Sequence, residues 1–177
     1  MQIVYQFLRA VDNSGLFGDK MKTNCFYENG IQFECRECGD CCKTHGDEDD
    51  YAYVYLSRTD ISRIAAHLNL TEVNLLNTYC TTDERGAVHL AKLHGDCSFL
   101  KDGNRCIVYP CRPMQCKTWP FWTENMEQAI WEGPVTACCP GIGQGRSYSK
   151  TEIRQICKER DAWYAADDAE VIFAKKR

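Results

Sequence analysis

No run of about 18 consecutive apolar residues occurs in the 177-residue chain, so no membrane-spanning helix is expected. The opening residues, Met1-Gln2-Ile3-Val4-Tyr5-Gln6-Phe7-Leu8-Arg9, lack a basic n-region, a long apolar stretch and a small-residue cleavage site. They do not read as a secretory signal, and a cytoplasmic location is the expectation. Basic residues are not in surplus: 21 Lys+Arg stand against 25 Asp+Glu, a formal charge of −4. With no local basic patch, neither nucleic acid nor a membrane is expected as a partner. Internal repeats, low-complexity tracts and long Pro/Gly/Ser linkers are missing too. The length suits a single domain over 1–177.

What the chain has in abundance is cysteine, 13 residues of 177. With 44% apolar and 26% charged residues it can bury a core without covalent staples. In a reducing compartment, clustered cysteines are metal ligands or redox groups more often than disulfides. The odd count also leaves at least one thiol unpaired.

Met1 to Leu8 reads as a short helix or an edge strand, and residues 11–24 as a loop. Tyr51-Ala52-Tyr53-Val54-Tyr55-Leu56 reads as an aromatic-rich strand. Ser57-Arg58-Thr59-Asp60 has the form of a helix start, with Ile61, Ile64, Ala65 and Leu68 at helical spacing behind it. Thr71 caps a second helix whose buried side is expected to carry Val73, Leu76 and Tyr79 or Cys80. Val88 to Leu93 alternates like a strand, and a hairpin is expected about Lys101-Asp102-Gly103-Asn104. Residues 110–148 read as irregular. Ser149-Lys150-Thr151-Glu152 is a capping box opening a last helix over about 150–165, with Ile153, Ile156, Cys157 and Trp163 or Tyr164 inward.

The densest chemistry is Cys35-Arg36-Glu37-Cys38-Gly39-Asp40-Cys41-Cys42. Cys35, Cys38 and Cys41 form C-x-x-C-x-x-C, the spacing of the bacterial run that wraps an iron–sulfur cluster. Structural zinc sites more often split into two distant C-x-x-C pairs, so the spacing leans toward iron–sulfur without excluding zinc. Gly39 suits a chain that must take positive φ around an ion. In an extended segment Cys41 and Cys42 would point to opposite sides, which favours two neighbouring metal centres or a shared thiolate. Further ligands must come from downstream, where Cys97, Cys106, Cys111, Cys116, Cys138 and Cys139 are available. A two-residue hairpin turn would put Cys97 and Cys106 on one face, and a three-residue turn would not. Cys25, Cys80 and Cys157 read as core thiols.

The sequence resembles the CxxCxxCC (YkgJ-type) cysteine-cluster family, a zinc- or iron-chelating domain. The likeness runs through Phe33-Glu34-Cys35 to Cys42, and Tyr53-Val54-Tyr55-Leu56-Ser57 leading into Asp60-Ile61. It continues in Gly95-Asp96-Cys97-Ser98-Phe99-Leu100, Cys106-Ile107-Val108-Tyr109, Arg112-Pro113-Met114-Gln115-Cys116, Pro120-Phe121 and Cys139-Pro140-Gly141. It therefore covers about residues 33–145, the expected chelating core. The resemblance implies eight metal ligands: Cys35, Cys38, Cys41, Cys42, Cys97, Cys106, Cys116 and Cys139, with Cys138 a rival for the last place. Cys111 falls where the pattern requires no cysteine. A flagellin lysine methylase has been associated with this type of cluster, so a metal-dependent protein-modifying enzyme related to it is a remote alternative. No S-adenosylmethionine site is recognisable.

Eight thiolates in two sets of four would add about −4 of local charge once a divalent ion or oxidised four-iron cube is counted in each. Arg36, Lys43, Arg105, Arg112 and Lys117 lie beside these cysteines as compensating cations, with Gly39 and Gly141 as backbone donors to sulfur. His45 and His94 are alternative zinc ligands, and Asp47-Glu48-Asp49-Asp50 reads as a solvated loop. His67 reads as structural. Gly141 to Gly145 fails the context of a nucleotide loop and reads as a tight turn at the metal site. Trp119-Pro120-Phe121-Trp122 reads as a shield or core patch. The expected fold is a small irregular α+β domain, with a few helices and short antiparallel strands organised around the cysteine site. The expected function is an iron–sulfur protein with a redox or electron-transfer role and a redox or protein partner. The alternative is a zinc protein whose metals are structural or organise an interaction surface. No catalytic residue can be named.

Overall fold

The computed structural model describes residues 25–43, 53–84, 86–93 and 95–170, with side chains to residue 165. The expectations for residues 1–24, His45, Asp47 to Asp50, Tyr51, Ala52 and His94 lie outside the described residues. The architecture is α+β, small helices and two-stranded antiparallel ladders without a larger sheet among the described residues.

Strand β1 (Ile31–Phe33) leads into the cysteine loop, which ends in a 3-10 turn, Asp40–Cys42. Helices α1 (Arg58–His67) and α2 (Glu72–Tyr79) pack on each other. Strand β2 (Cys80–Thr82) pairs with β3 (Val88–Leu90), β4 (Lys92–Leu93) with β5 (Asp96–Cys97), and β6 (Leu100–Lys101) with β7 (Arg105–Cys106). A 3-10 turn, Tyr109–Cys111, precedes α3 (Met114–Thr118). Another, Thr123–Met126, precedes α4 (Gln128–Ile130), which runs through a π-helical turn, Trp131–Val135, into α5 (Thr136–Cys138). Strand β8 (Arg146–Tyr148) returns to pair with β1, and α6 (Lys150–Glu170) follows it.

Local chemistry accounts for the helix starts. Ser57 Oγ accepts from Asp60 N at 3.1 Å while Asp60 Oδ2 accepts from Ser57 N at 3.3 Å, a reciprocal capping box. Thr71 Oγ1 caps α2 through Asn74 N at 3.1 Å. Ser149 and Glu152 form a second reciprocal pair, with Ser149 N donating to Glu152 Oε2 at 2.8 Å and Glu152 N to Ser149 Oγ at 3.3 Å. The exchanged bonds satisfy N–H groups that a helix start leaves without partners.

Two buried clusters form the interior. Tyr27, Phe33, Phe121, Trp131, Val135 and Ile153 belong to one; Leu56, Ile61, Ile64, Leu75, Phe99 and Val108 belong to the other. Helix α6 is pinned to the first through Arg160, whose guanidinium meets both carboxylate oxygens of Glu124 (2.5 and 2.7 Å) and lies over Trp122. A bidentate pair of this kind fixes orientation as well as charge.

Several expectations need correction. The buried residue of α2 is Leu75, at 0% exposure, and Val73 is 64% exposed. Leu75, Leu76 and Tyr79 share the face toward α1, and Val73 lies two residues, about 200°, from Leu75. Val88 to Leu93 is not one alternating strand: Val88, His89 and Leu90 are all buried, and the chain changes partner at Ala91. At Tyr55 there is a single bridge pair with His89 rather than a longer strand among the described residues. The span 110–148 is less irregular than expected: short helical turns follow one another as far as Cys138, and Arg146–Tyr148 is a strand paired with β1.

Leu75→Ala should lower unfolding stability by about 2–5 kcal/mol, whereas Val73→Ala should stay within about 0.5 kcal/mol. Denaturant titration of the two variants checks this, and equal effects would reverse the assignment of the buried face.

Candidate metal centre

One cavity of about 60 Å³ is lined by Cys35, Cys38, Cys41, Cys42, Cys97, Cys106, Cys116, Cys138 and Cys139. The structure thus brings all the cysteines implied as ligands to one place and adds Cys138. Cys111 and Cys157 are buried in the two cores, and Cys25 and Cys80 pack against them. Among the described residues no three His, Cys, Asp or Glu groups already close on a common point as a metal site. The sulfurs ring a space. One water needs roughly 10–15 Å³ of such volume, so the space admits a group of several atoms.

The loop from Cys35 to Cys42 is curled by positive φ at Gly39 (78°) and also at Glu37 (51°). Gly39 faces the tip of the β6–β7 hairpin so closely that a Cβ there would sit 2.9 Å from Asn104 Cα. Cys42 N then bonds Gly39 O at 2.8 Å, closing the 3-10 turn. That turn overturns the expectation drawn from an extended segment. Cys41 and Cys42 face the same cavity, their sulfurs 3.9 Å apart. Two thiolates on one tetrahedral atom at about 2.3 Å would stand about 3.8 Å apart.

The hairpin condition for Cys97 and Cys106 also fails. Lys101 pairs with Arg105, leaving a three-residue turn, and Cys97 belongs to a different ladder, opposite Lys92. The two sulfurs meet at the cavity because successive short ladders fold the chain around it. Cys116 is placed by α3, which Gln115 ties to the Tyr53–Tyr55 segment: its Oε1 accepts from Tyr55 N at 2.7 Å and its Nε2 donates to Tyr53 O at 3.0 Å. Cys139 arrives through a backbone zipper. Glu34 N bonds Gly141 O at 3.1 Å and Gly143 N bonds Gln32 O at 2.9 Å. A Cβ on Gly141 would lie 2.1 Å from Glu34 O, so only glycine permits this approach.

The thiols crowd one another. Hydrogen bonds to Cys41 and Cys97, then burial, push the Cys42 pKa up. The Cys42 bond in turn lowers Cys41 and brings Cys97 down to about 7. Burial raises Cys38, Cys106 and Cys116, the last by a wide margin. A buried set of thiols that resist ionising beside each other is chemically suited to soft metal, whose charge compensates several thiolates at once.

The two cysteines at 138 and 139 differ. Burial raises Cys139 to about 11, while a hydrogen bond from the Trp119 side chain and one from the Gly141 backbone pull it the other way. Cys138 Sγ instead faces an acceptor, Val135 O, at 3.4 Å. N–H donors suit a thiolate and a carbonyl suits an S–H, which favours Cys139 over Cys138 as the ligand.

Of the compensating cations expected from the sequence, Arg112 reaches sulfur: its Nη1 lies 3.8 Å from Cys35 Sγ. Arg36, Lys43 and Arg105 pair with Glu34, Asp40 and Asp102. Two polar neighbours were not foreseen. Lys92 is half-buried near Cys97 and Cys42, and burial lowers its pKa. Tyr109 bonds Cys35, and burial with that bond pushes its hydroxyl to about 12. Reading Leu93-His94-Gly95-Asp96 as a hairpin turn would have placed Lys92 opposite Cys97. Trp119 lines the cavity and Phe121 packs edge-on to Phe33 at 5.6 Å, so the aromatic run is both wall and core.

Nine cysteines, most of them partly buried and brought in by a loop, two ladders and two short helices, are what a cysteine-rich chelating domain presents. The family model of CxxCxxCC, described as a zinc- or iron-chelating domain, matches residues 34–158, well over half of the chain, and the protein belongs to that family. An uncharacterized protein of Methanocaldococcus jannaschii, MJ0661, is 28% identical over 96 residues, 54% of this chain. The chain spans just under half, 48%, of that relative's length. No solved structure matches.

Cys38→Ser should strip metal and lower stability together, because binding and folding are linked in such sites. Cys80→Ala should leave the metal-to-protein ratio unchanged. Of the doublet, Cys139→Ser should lose more metal than Cys138→Ser. Elemental analysis of the purified variants checks all three, and full metal in Cys38→Ser would overturn the ligand set.

Proposed function

We propose that this protein holds an iron–sulfur centre through Cys35, Cys38, Cys41, Cys42, Cys97, Cys106, Cys116 and Cys139, with a redox or electron-transfer role. The observation that carries the reading is that these sulfurs line one cavity with room for a group of several atoms, joined to the C-x-x-C-x-x-C spacing. When bound, such a centre supplies one-electron chemistry, its potential set by hydrogen bonds to sulfur and by solvent exposure.

The residues around it divide the cavity into floor and rim. Phe33, Leu90, Phe99, Val108 and Trp119 are buried and exclude water from the inner side. Arg36, Glu37 and Asn104 are exposed at the outer side, where a redox partner can approach. Arg112 directs positive charge at Cys35, and half-buried Lys92 brings a second cation near Cys97. Both reduce the cost of gathering thiolates in a poorly solvated space.

One observation favours a second reading. The 3.9 Å between the Cys41 and Cys42 sulfurs is the spacing of two ligands on a single atom, as in a tetrahedral zinc site, whereas a four-iron cube takes one cysteine per iron. On that reading the metal is structural and organises a surface.

Anaerobic purification with iron, zinc and acid-labile sulfide analysis separates the two. The expected protein is brown, absorbs broadly near about 400 nm and contains iron and sulfide in matching amounts. Colourless protein with stoichiometric zinc and no sulfide would sink the first reading in favour of the second.

A further inference from the structure

We propose that Arg112 is a positioning residue that holds the Cys35 sulfur and damps its nucleophilicity in the metal-loaded protein, itself fixed by the Asp60–Arg63 pair. The proposal rests on the metal-binding reading of the cavity but not on which metal fills it. Cys35 stands on the outer side of the ring, between exposed Glu34 and Arg36, and is only partly buried. Most of the ligand set is likewise only partly buried, and with exposed residues on both sides Cys35 can meet an electrophile or oxidant.

The guanidinium is held from several directions. Its Nη1 donates to Cys35 Sγ at 3.8 Å, and its Nε donates to Tyr109 O at 3.1 Å. The same group lies over the Tyr109 ring, 3.8 Å from its centre. The main chain is fixed as well: Arg112 O accepts from Arg63 Nη2 at 2.9 Å. Arg63 Nη2 also meets Asp60 Oδ1 at 2.5 Å, and Asp60 is the buried acid of the α1 capping box. A line of contacts thus runs from the start of α1 through Arg63 and Arg112 to Cys35.

An N–H donor on a metal-bound thiolate withdraws electron density from sulfur, so the sulfur attacks electrophiles more slowly. Arginine suits this position because its planar fork can stack, bond a carbonyl and reach sulfur at once, which a lysine ammonium on a flexible stem does not reproduce.

The test is timed alkylation of the metal-loaded protein with iodoacetamide, with each cysteine quantified by peptide mapping and metal content measured alongside. Arg112→Gln should speed alkylation at Cys35 by about three- to tenfold, the range an ordinary net hydrogen bond carries and a fair measure of a long N–H to sulfur contact, while Cys116 keeps its wild-type rate and metal is retained. Arg112→Lys should fall between. Arg63→Gln, which loses the bond to Arg112 O, should give a smaller rise at the same cysteine. An unchanged Cys35 rate in metal-loaded Arg112→Gln would overturn the proposal alone. So would an equal rise at every cysteine, which marks a general structural role. Wild-type protein that takes up no metal would overturn the reading of the cavity, and this proposal with it.

Discussion

Thiolates crowded into one partly buried cavity repel one another, and the rest of the structure answers that constraint. Nine cysteines line one cavity; burial pushes the pKa of most of them up, and mutual hydrogen bonding lowers Cys41 and Cys97. A cation resolves the conflict, and the surroundings are arranged to help it. Arg112 donates to Cys35, and half-buried Lys92 stands near Cys97. The chain around the cavity shows little regular structure because its geometry serves the sulfurs. Its ladders are two or three residues long, each long enough to turn the chain and set the next cysteine.

Two cores make the cavity rigid enough to matter. One carries β1, α6 and the aromatic run; the other carries the α1–α2 pair and the β3 strand. The cavity draws its wall from both, with Phe33 and Trp119 from the first and Leu90, Phe99 and Val108 from the second. Displacement of one core relative to the other would therefore part the sulfurs.

Much of this was legible in the sequence, for physical reasons that differ by element. Helix starts were readable because caps are local: Ser57 with Asp60, Thr71, and Ser149 with Glu152 act within four residues. The cysteines were readable because clustered thiols have few other uses in a chain able to bury an apolar core. What failed depended on turn geometry or tertiary partners. Cys41-Cys42 faces one way because Gly39 bends the backbone into a 3-10 turn, and the residue pressed on Gly39 is Asn104, distant in sequence. The β6–β7 register hung on a turn of three residues rather than two. Leu75 replaced Val73 in the core because α1 sets which side of α2 is covered. Lys92 reaches Cys97 through a separate ladder, which the alternation of Val88 to Leu93 presents as the end of one longer strand.

The pairing of β1 with β8 joins Ile31 to Tyr148 and makes a ring of the chain between them. A ladder of three residues cannot by itself repay the entropy of closing so long a loop. Its survival rests on the aromatic packing of Phe33 and Phe121 and on the clearance that Gly141 leaves for Glu34. The clasp lies next to Cys35 on one strand and a few residues beyond Cys139 on the other. Topologically, the earliest and latest cysteines of the cavity sit on the two sides of one latch. Whatever loosens the latch opens the ring there first, at the point where the sulfur ring is also joined.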